Sequence, residues 1–135
     1  MRYRNLMVLI ASLLSSACHI GGTAAGYTPA TTAEGARMIV FTSAGRLTGE
    51  LVEVKDNGIV LALSDGRVAL VPWSVTTSAS AEGVPKMRTY YAENGPGEEA
   101  RSNLVKVSHF PQGMTADIQA RFLAAHKQSA VVVIQ

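Results

Sequence analysis

Three turn dipeptides, separated by short aliphatic runs, constrain the fold of this chain more than any other feature. They are Ala44-Gly45, Asn57-Gly58 and Asp65-Gly66. Asn-Gly and Asp-Gly are typical of two-residue β-hairpin loops, because both central residues of a type I′ turn need a positive φ. The runs between them are rich in β-branched and aliphatic residues. The pattern predicts an antiparallel meander of four strands over residues 38–42, 46–55, 59–63 and 67–71.

The second predicted strand changes face along its length. Leu47, Gly49 and Leu51 share one face, but the apolar positions then pass to Val52 and Val54. A change of face within one strand indicates a bulge or a sharp bend. Gly49 is the natural place for another backbone to approach closely. A long bent second strand is how a small sheet curls into a barrel.

This stretch resembles the small SH3-like and Sm-like β-barrels. The resemblance is carried by GRLTGELVEVKDNGIVLAL, residues 45–63, and GRVALVPWSV, residues 66–75. It implies a small antiparallel barrel over residues 36–80. Sm-like proteins bind RNA through residues in two barrel loops, and KDNG at residues 55–58 matches one of these loops only weakly. The second basic loop motif is missing from this chain.

The rest of the chain predicts a shorter set of elements. Residues 74–80 favour a fifth strand, and residues 81–97 form a loop in which residues 87–91 could pair briefly with the barrel. From Glu98 a helix would place Ala100, Leu104 and Val107 on one stripe, with acidic residues in its first turn. A strand over residues 104–108 is the alternative.

A second helix follows the break at residues 111–113. Thr115 is its predicted N-cap, Ile118, Phe122 and Ala125 share one face, and the helix ends near Lys127. Residues 130–134, AVVVI, predict a short strand in which Val131 and Val133 pair with an open edge of the barrel; docking on a partner's sheet is the alternative. The helices would form a lid over the sheet, with Phe122 and Leu123 buried. The predicted class is α+β: an SH3/Sm-like antiparallel barrel, two helices and a terminal strand.

The N-terminus has the anatomy of an export signal. Arg2 and Arg4 precede an apolar run at residues 6–14, which is too short for a stable membrane span, and small residues lead to Cys18, the single cysteine. The segment resembles a bacterial lipoprotein signal, which implies cleavage before Cys18 and a lipid on its sulfur. Leu is usual in that pattern where this chain has Ser15. An ordinary secretory cleavage and an uncleaved anchor are the alternatives.

These readings divide the chain into five parts. They are a signal peptide at 1–17, a flexible tether at 18–35, the barrel at 36–80, a loop at 81–97 and the helical segment with its terminal strand at 98–135. The tether is composed mostly of Gly, Ala, Thr and Pro. Such a segment buries too little apolar surface to offset the entropy lost on ordering. The predicted location is the cell envelope, lipid-anchored and facing the periplasm. His19, where an Asp would favour inner-membrane retention, slightly favours the outer membrane; a secreted or soluble periplasmic protein is the alternative.

Charge argues against nucleic acid as a partner. The chain has 12 Lys and Arg against 10 Asp and Glu. Removing Arg2 and Arg4 with the signal leaves ten of each, so the mature chain is formally neutral. Nucleic-acid binding needs clustered cations that displace counterions, and here the basic residues are dispersed among acids.

Sequence motifs point to binding rather than catalysis. The chain has no phosphate-binding loop, zinc-protease motif or nucleophile elbow. Ser74 is best read as a turn residue, and His109 and His126 could share a metal only with further ligands. Trp73, Tyr90 and Tyr91 could form an aromatic surface for a partner peptide, although Trp73 is better explained as a plug of the barrel end.

We therefore expect a non-catalytic envelope module that binds a protein partner or stabilises a complex. It would need no cofactor and no metal. The membrane, through the N-terminal lipid, and an unknown envelope protein are the expected partners. An Sm-like RNA-binding protein and an envelope enzyme with an unrecognised site are the alternatives.

Overall fold

The computed structural model describes residues 34–84, 89–90 and 95–135, and for residues 89–90 it describes the backbone alone. The predictions on residues 1–33, which include Cys18 and most of the tether, lie outside the described residues, as does Tyr91. The described part of the chain is α+β, as predicted. It contains a seven-stranded, mostly antiparallel sheet and two helices.

The helices and strands follow the predicted order along the chain. The strands are β1 (Arg37–Thr42), β2 (Gly45–Lys55), β3 (Gly58–Leu63), β4 (Val68–Pro72), β5 (Thr76–Ala81), β6 (Thr89–Tyr90) and β7 (Val132–Val133). The helices are α1 (Glu98–Val107) and α2 (Ala116–Ala125), and a single 3-10 turn, Trp73–Val75, joins β4 to β5. The helix at residues 98–107 is confirmed, and the alternative strand at 104–108 is wrong.

The strand order across the sheet is β6-β5-β1-β2-β3-β4-β7. The meander β1 to β4 is confirmed, and each of its pairings is antiparallel. β7 pairs with β4 in the parallel direction. Because the described pairings leave β6 and β7 at opposite ends of a linear order, closure into a barrel is not confirmed.

The predicted irregularity of β2 is a bulge at Val52. The register with β3 shifts between Leu51 and Glu53. Gly49 has the predicted role of a close approach, since a Cβ at this position would lie 2.4 Å from the Ala62 carbonyl oxygen. No side chain fits there without moving β3.

The predicted hairpins exist, but their turns are not of type I′. Lys127 is the only non-glycine residue with a positive φ in the described part of the chain, so Asn57 and Asp65 lack the required conformation. Gly58 lies inside β3, where a Cβ would be 2.3 Å from the Val71 carbonyl oxygen. Gly58 is needed for its contact with β4, not for the turn.

Each face of the sheet carries a buried cluster, and each helix packs on a different face. Leu104 of α1 belongs to the larger cluster, with Ala100 and Val107 packed beside it, and Leu123 of α2 belongs to the smaller one. The prediction of a single lid is therefore wrong, as is the placement of Ala125, which is exposed. The larger cluster contains Met38, Val40, Leu51, Ile59, Leu61, Leu63, Ala69, Val71, Trp73, Ala79, Ala81 and Leu104; the smaller contains Val52, Val60, Val68 and Leu123.

The Gln128 side chain attaches the end of the chain to β4. Its Oε1 accepts the Val68 N–H at 2.6 Å, and its Nε2 donates to the Val68 carbonyl at 3.1 Å. One side-chain amide thus pairs with the backbone of Val68 as a neighbouring strand would. β7 continues the pairing, with Val132 opposite Ala69 and Val133 opposite Leu70. The prediction that the terminal segment adds a strand to an open edge is confirmed, and of the two residues predicted to pair, Val133 lies in the strand but Val131 does not.

Candidate functional site

β1 begins at Arg37, which pairs with Glu50 of β2. From Leu51 onward, the neighbours of β2 on this side are Ala36 and the segment that follows α1. Leu51 donates its N–H to the Ala36 carbonyl and accepts the His109 N–H, both at 2.9 Å. The Val52 carbonyl accepts the Phe110 N–H at 2.9 Å. These bonds satisfy backbone groups that the bulge would otherwise leave buried without partners.

Glu50 joins this segment to the start of the folded domain. Its Oε1 accepts the Gly35 N–H at 2.7 Å and lies 2.6 Å from Nδ1 of His109. With the proton on Nδ1, His109 donates to the carboxylate. We call Gly35, Glu50 and His109 the N-terminal clamp, because they fix the place where the preceding chain joins the sheet.

The N-terminal clamp requires glycine at position 35. A Cβ there would lie 1.9 Å from the Leu51 carbonyl oxygen and 2.7 Å from the His109 nitrogen. Sequence reasoning missed this role, since Gly35 was assigned to the flexible tether. The requirement for glycine comes from residues distant in sequence, so no local sequence pattern indicates it.

Aromatic rings surround the clamp histidine. His109 stacks on Phe110 with 4.3 Å between ring centroids, and Phe122 meets its edge at 5.7 Å. His126 lies 4.6 Å from Phe122, and its Nδ1 is 2.9 Å from the carbonyl of that residue. Each histidine is thus explained by packing and hydrogen bonding. In the part of the chain that the structure describes, no three His, Cys, Asp or Glu residues are grouped to hold a metal.

A small polar depression lies beside the clamp, on the face of β1, β2 and β3 on which α2 also packs. Its volume is about 200 Å³, below the ~300–1,000 Å³ of typical ligand pockets, which are also mainly apolar. Nearby, the hydroxyls of Thr48 and Ser64 are 2.9 Å apart. The depression suits ordered water better than a cofactor. Its lining residues are Glu34, Gly35, Arg37, Gly49, Glu50, Ala62 and Ser64.

Trp73 is a core residue, with 2% of its surface exposed. Its Nε1–H donates to the Asp56 carbonyl at 2.9 Å, which ties it to the β2–β3 turn. Arg101 of α1 lies over the indole at 5.6 Å, and a Cβ on Gly95 would come within 2.7 Å of the ring. The indole therefore presents almost no surface to a partner.

The other aromatic candidates, Tyr90 and Tyr91, cannot be compared with Trp73. The side chain of Tyr90 and the whole of Tyr91 lie outside the described residues. A partner-binding role for these two tyrosines stays a prediction. Ser74 is exposed in the 3-10 turn, where the turn interpretation placed it.

Two further electrostatic features were not predicted. Glu53 is 7% exposed; its Oε1 accepts the Met114 N–H at 3.3 Å, and its Oε2 lies 3.5 Å from Nζ of Lys55. In the β3–β4 turn, hydrogen bonds from Arg67 hold the pKa of the Asp65 carboxyl below its usual value. Both side chains of this second pair are exposed to solvent, so the pair contributes little to stability.

No protein-family model matches this chain, and neither curated proteins nor solved structures provide a match. Within the described residues, neither helix is long and apolar enough to cross a membrane.

Proposed function

We propose that this protein is a non-catalytic, lipid-anchored module of the bacterial cell envelope that binds a protein partner. In this proposal the lipid is on Cys18, and the chain between Cys18 and the N-terminal clamp at Gly35 links it to the folded domain. The support for the anchor is the short export signal that ends in the single cysteine. Several acyl chains on one cysteine are enough for durable membrane attachment.

The observation that carries partner binding is Phe41. It is 45% exposed on β1, with Ser78 of β5 and Arg46 of β2 as its cross-strand neighbours. On the same face of the sheet, Leu123 of α2 packs with Val52, Val60 and Val68, whereas among the described residues Phe41 and Arg46 are exposed. Aromatic side chains and arginine are enriched at protein interfaces relative to the rest of the surface, which supports Phe41 and Arg46 as contact residues.

We also propose that the bent sheet belongs to the SH3-like or Sm-like class of small barrels. The long β2 with its bulge at Val52 supports this, as does the large Trp73 side chain that fills the core beside Leu104. An Sm-like RNA-binding protein remains the alternative for the same fold.

An envelope enzyme is the second alternative, and the Glu50–His109 pair is the observation that favours it. A carboxylate 2.6 Å from an imidazole nitrogen is the arrangement that orients a catalytic base. The same carboxylate oxygen also accepts the Gly35 N–H. This second bond gives the pair a structural role, which supports the non-catalytic proposal.

Site-specific photo-cross-linking tests partner binding. The full chain, expressed in its own host, would carry a photoreactive phenylalanine analogue in place of Phe41, or in place of the exposed Ala120 on α2 as the matched control. We expect a discrete cross-linked envelope protein from position 41 and none from position 120. Equal products from both positions, or none from position 41, would contradict the proposal.

A further inference from the structure

We propose that β7 is a self-association edge that pairs in the antiparallel direction with β7 of a second copy of this chain. β7 is the last strand of the sheet, and it is bonded to β4 along one side. Within residues 34–84, 89–90 and 95–135, no strand pairs with its other side. This inference goes beyond the proposed function and does not depend on the lipid.

The backbone of β7 determines what kind of partner can bind its free edge. Ile134 donates its N–H to the Leu70 carbonyl at 3.0 Å. Because backbone groups of successive residues in a strand point to opposite sides, the N–H and C=O of Val133 face away from β4. Such an edge is completed by another extended chain, which supplies acceptors and donors at the matching spacing.

The side chains show that this edge is apolar on both faces. Val131 packs against the smaller core cluster and Ile134 against the larger one, whereas Val132 and Val133 are 38% and 52% exposed. Apolar residues on both faces are typical of an interior strand. Natural edge strands are usually protected by charged residues or proline, and residues 128–135, QSAVVVIQ, contain neither.

A second copy fits this edge better than an unrelated strand. An isologous antiparallel pair needs only one self-complementary segment, and here that segment has no charges that would repel. The outward-facing backbone groups must meet, and of the registers that allow this the proposed one has Val133 opposite Val133 of the second copy, because Val133 is the more exposed of the two strand residues. Gln128 already holds the segment on β4, so little ordering is required on association.

Cysteine cross-linking of the full chain tests both the pairing and its register. In the proposed register, the two cysteines of V133C face each other with Cα atoms ~5.5 Å apart, within the range of a disulfide. Those of V132C are offset along the strands and lie beyond ~7 Å. We expect rapid disulfide-linked dimers from V133C, much slower ones from V132C, and none from the unsubstituted chain at its single Cys18.

A charge substitution provides the second arm. V133K would place two cations opposite each other, and it leaves the Ile134–Leu70 bond in place. Analytical ultracentrifugation of the full chain in detergent should show a dimer for the unsubstituted protein and for V133T, and a monomer for V133K with unchanged circular dichroism. A monomeric unsubstituted chain, as expected if the edge serves another protein, would overturn the proposal. So would a dimer that persists in V133K, or equal cross-linking at positions 132 and 133.

Discussion

At Gly35, Gly49 and Gly58, the missing side chain lets two backbones approach more closely than any other residue would allow. The face change in β2 made Gly49 predictable, because the signal lies within one strand. Gly58 was assigned to a turn from the Asn-Gly signal, but the structure places it at the start of β3, opposite Lys55. Gly35 could not be predicted, because its requirement comes from the backbones of Leu51 and His109, which are distant in sequence.

Gly35→Ala tests the N-terminal clamp. The new methyl group would overlap the Leu51 carbonyl, so we expect a loss of about 1–3 kcal/mol in the free energy of unfolding. Denaturant unfolding of the full chain measures this loss. Gly97→Ala is the control, because a Cβ at Gly97 meets no atom within 4 Å; as the N-cap of α1 this position should lose only the smaller preference of an N-cap for glycine over alanine. Equal stabilities of the two variants would show that residue 35 is not confined.

At the scale of elements, local periodicity predicted the strands and helices, but not how they are assembled. Alternation in β3 and the stripe of Ala100, Leu104 and Val107 are signals within single segments. Which face of the sheet each helix covers depends on contacts between distant segments. The parallel direction of β7 likewise follows from the path of the chain after α2.

Gln128→Ala tests how β7 is held. The change leaves the N–H and carbonyl of Val68 without their side-chain partner, and we expect a cost of about 1–3 kcal/mol. Hydrogen exchange should also become faster at the amides of Val68 and Ile134. Gln112→Ala, at an exposed position, is the control and should leave both stability and exchange unchanged. Unaltered exchange in Gln128→Ala would contradict the proposed attachment.

At the scale of the whole molecule, charge separates the envelope proposal from the RNA-binding alternative. The mature chain proposed here has ten cationic and ten anionic side chains. The depression beside the clamp carries acidic Glu34 and Glu50 as well as Arg37. Such a mixed surface releases few counterions from a phosphate backbone.

We therefore predict no appreciable affinity for RNA at physiological salt. A gel-shift titration of the full chain against single-stranded RNA, repeated over a range of salt concentrations, measures this. A salt-sensitive shift at submicromolar protein would contradict the envelope proposal and favour the Sm-like alternative. A protein that binds only at very low salt would behave as the balanced charge predicts.

The central claim, a lipid-anchored protein that begins at Cys18, is tested most directly by the intact mass of the native protein from each cell fraction. We expect the membrane fraction to contain a chain that starts at Cys18 and carries the mass of a diacylglyceryl group. The Cys18→Ser variant should lose that mass and fail to incorporate a palmitate analogue. An unmodified wild-type chain found only in the soluble periplasmic fraction would contradict the claim.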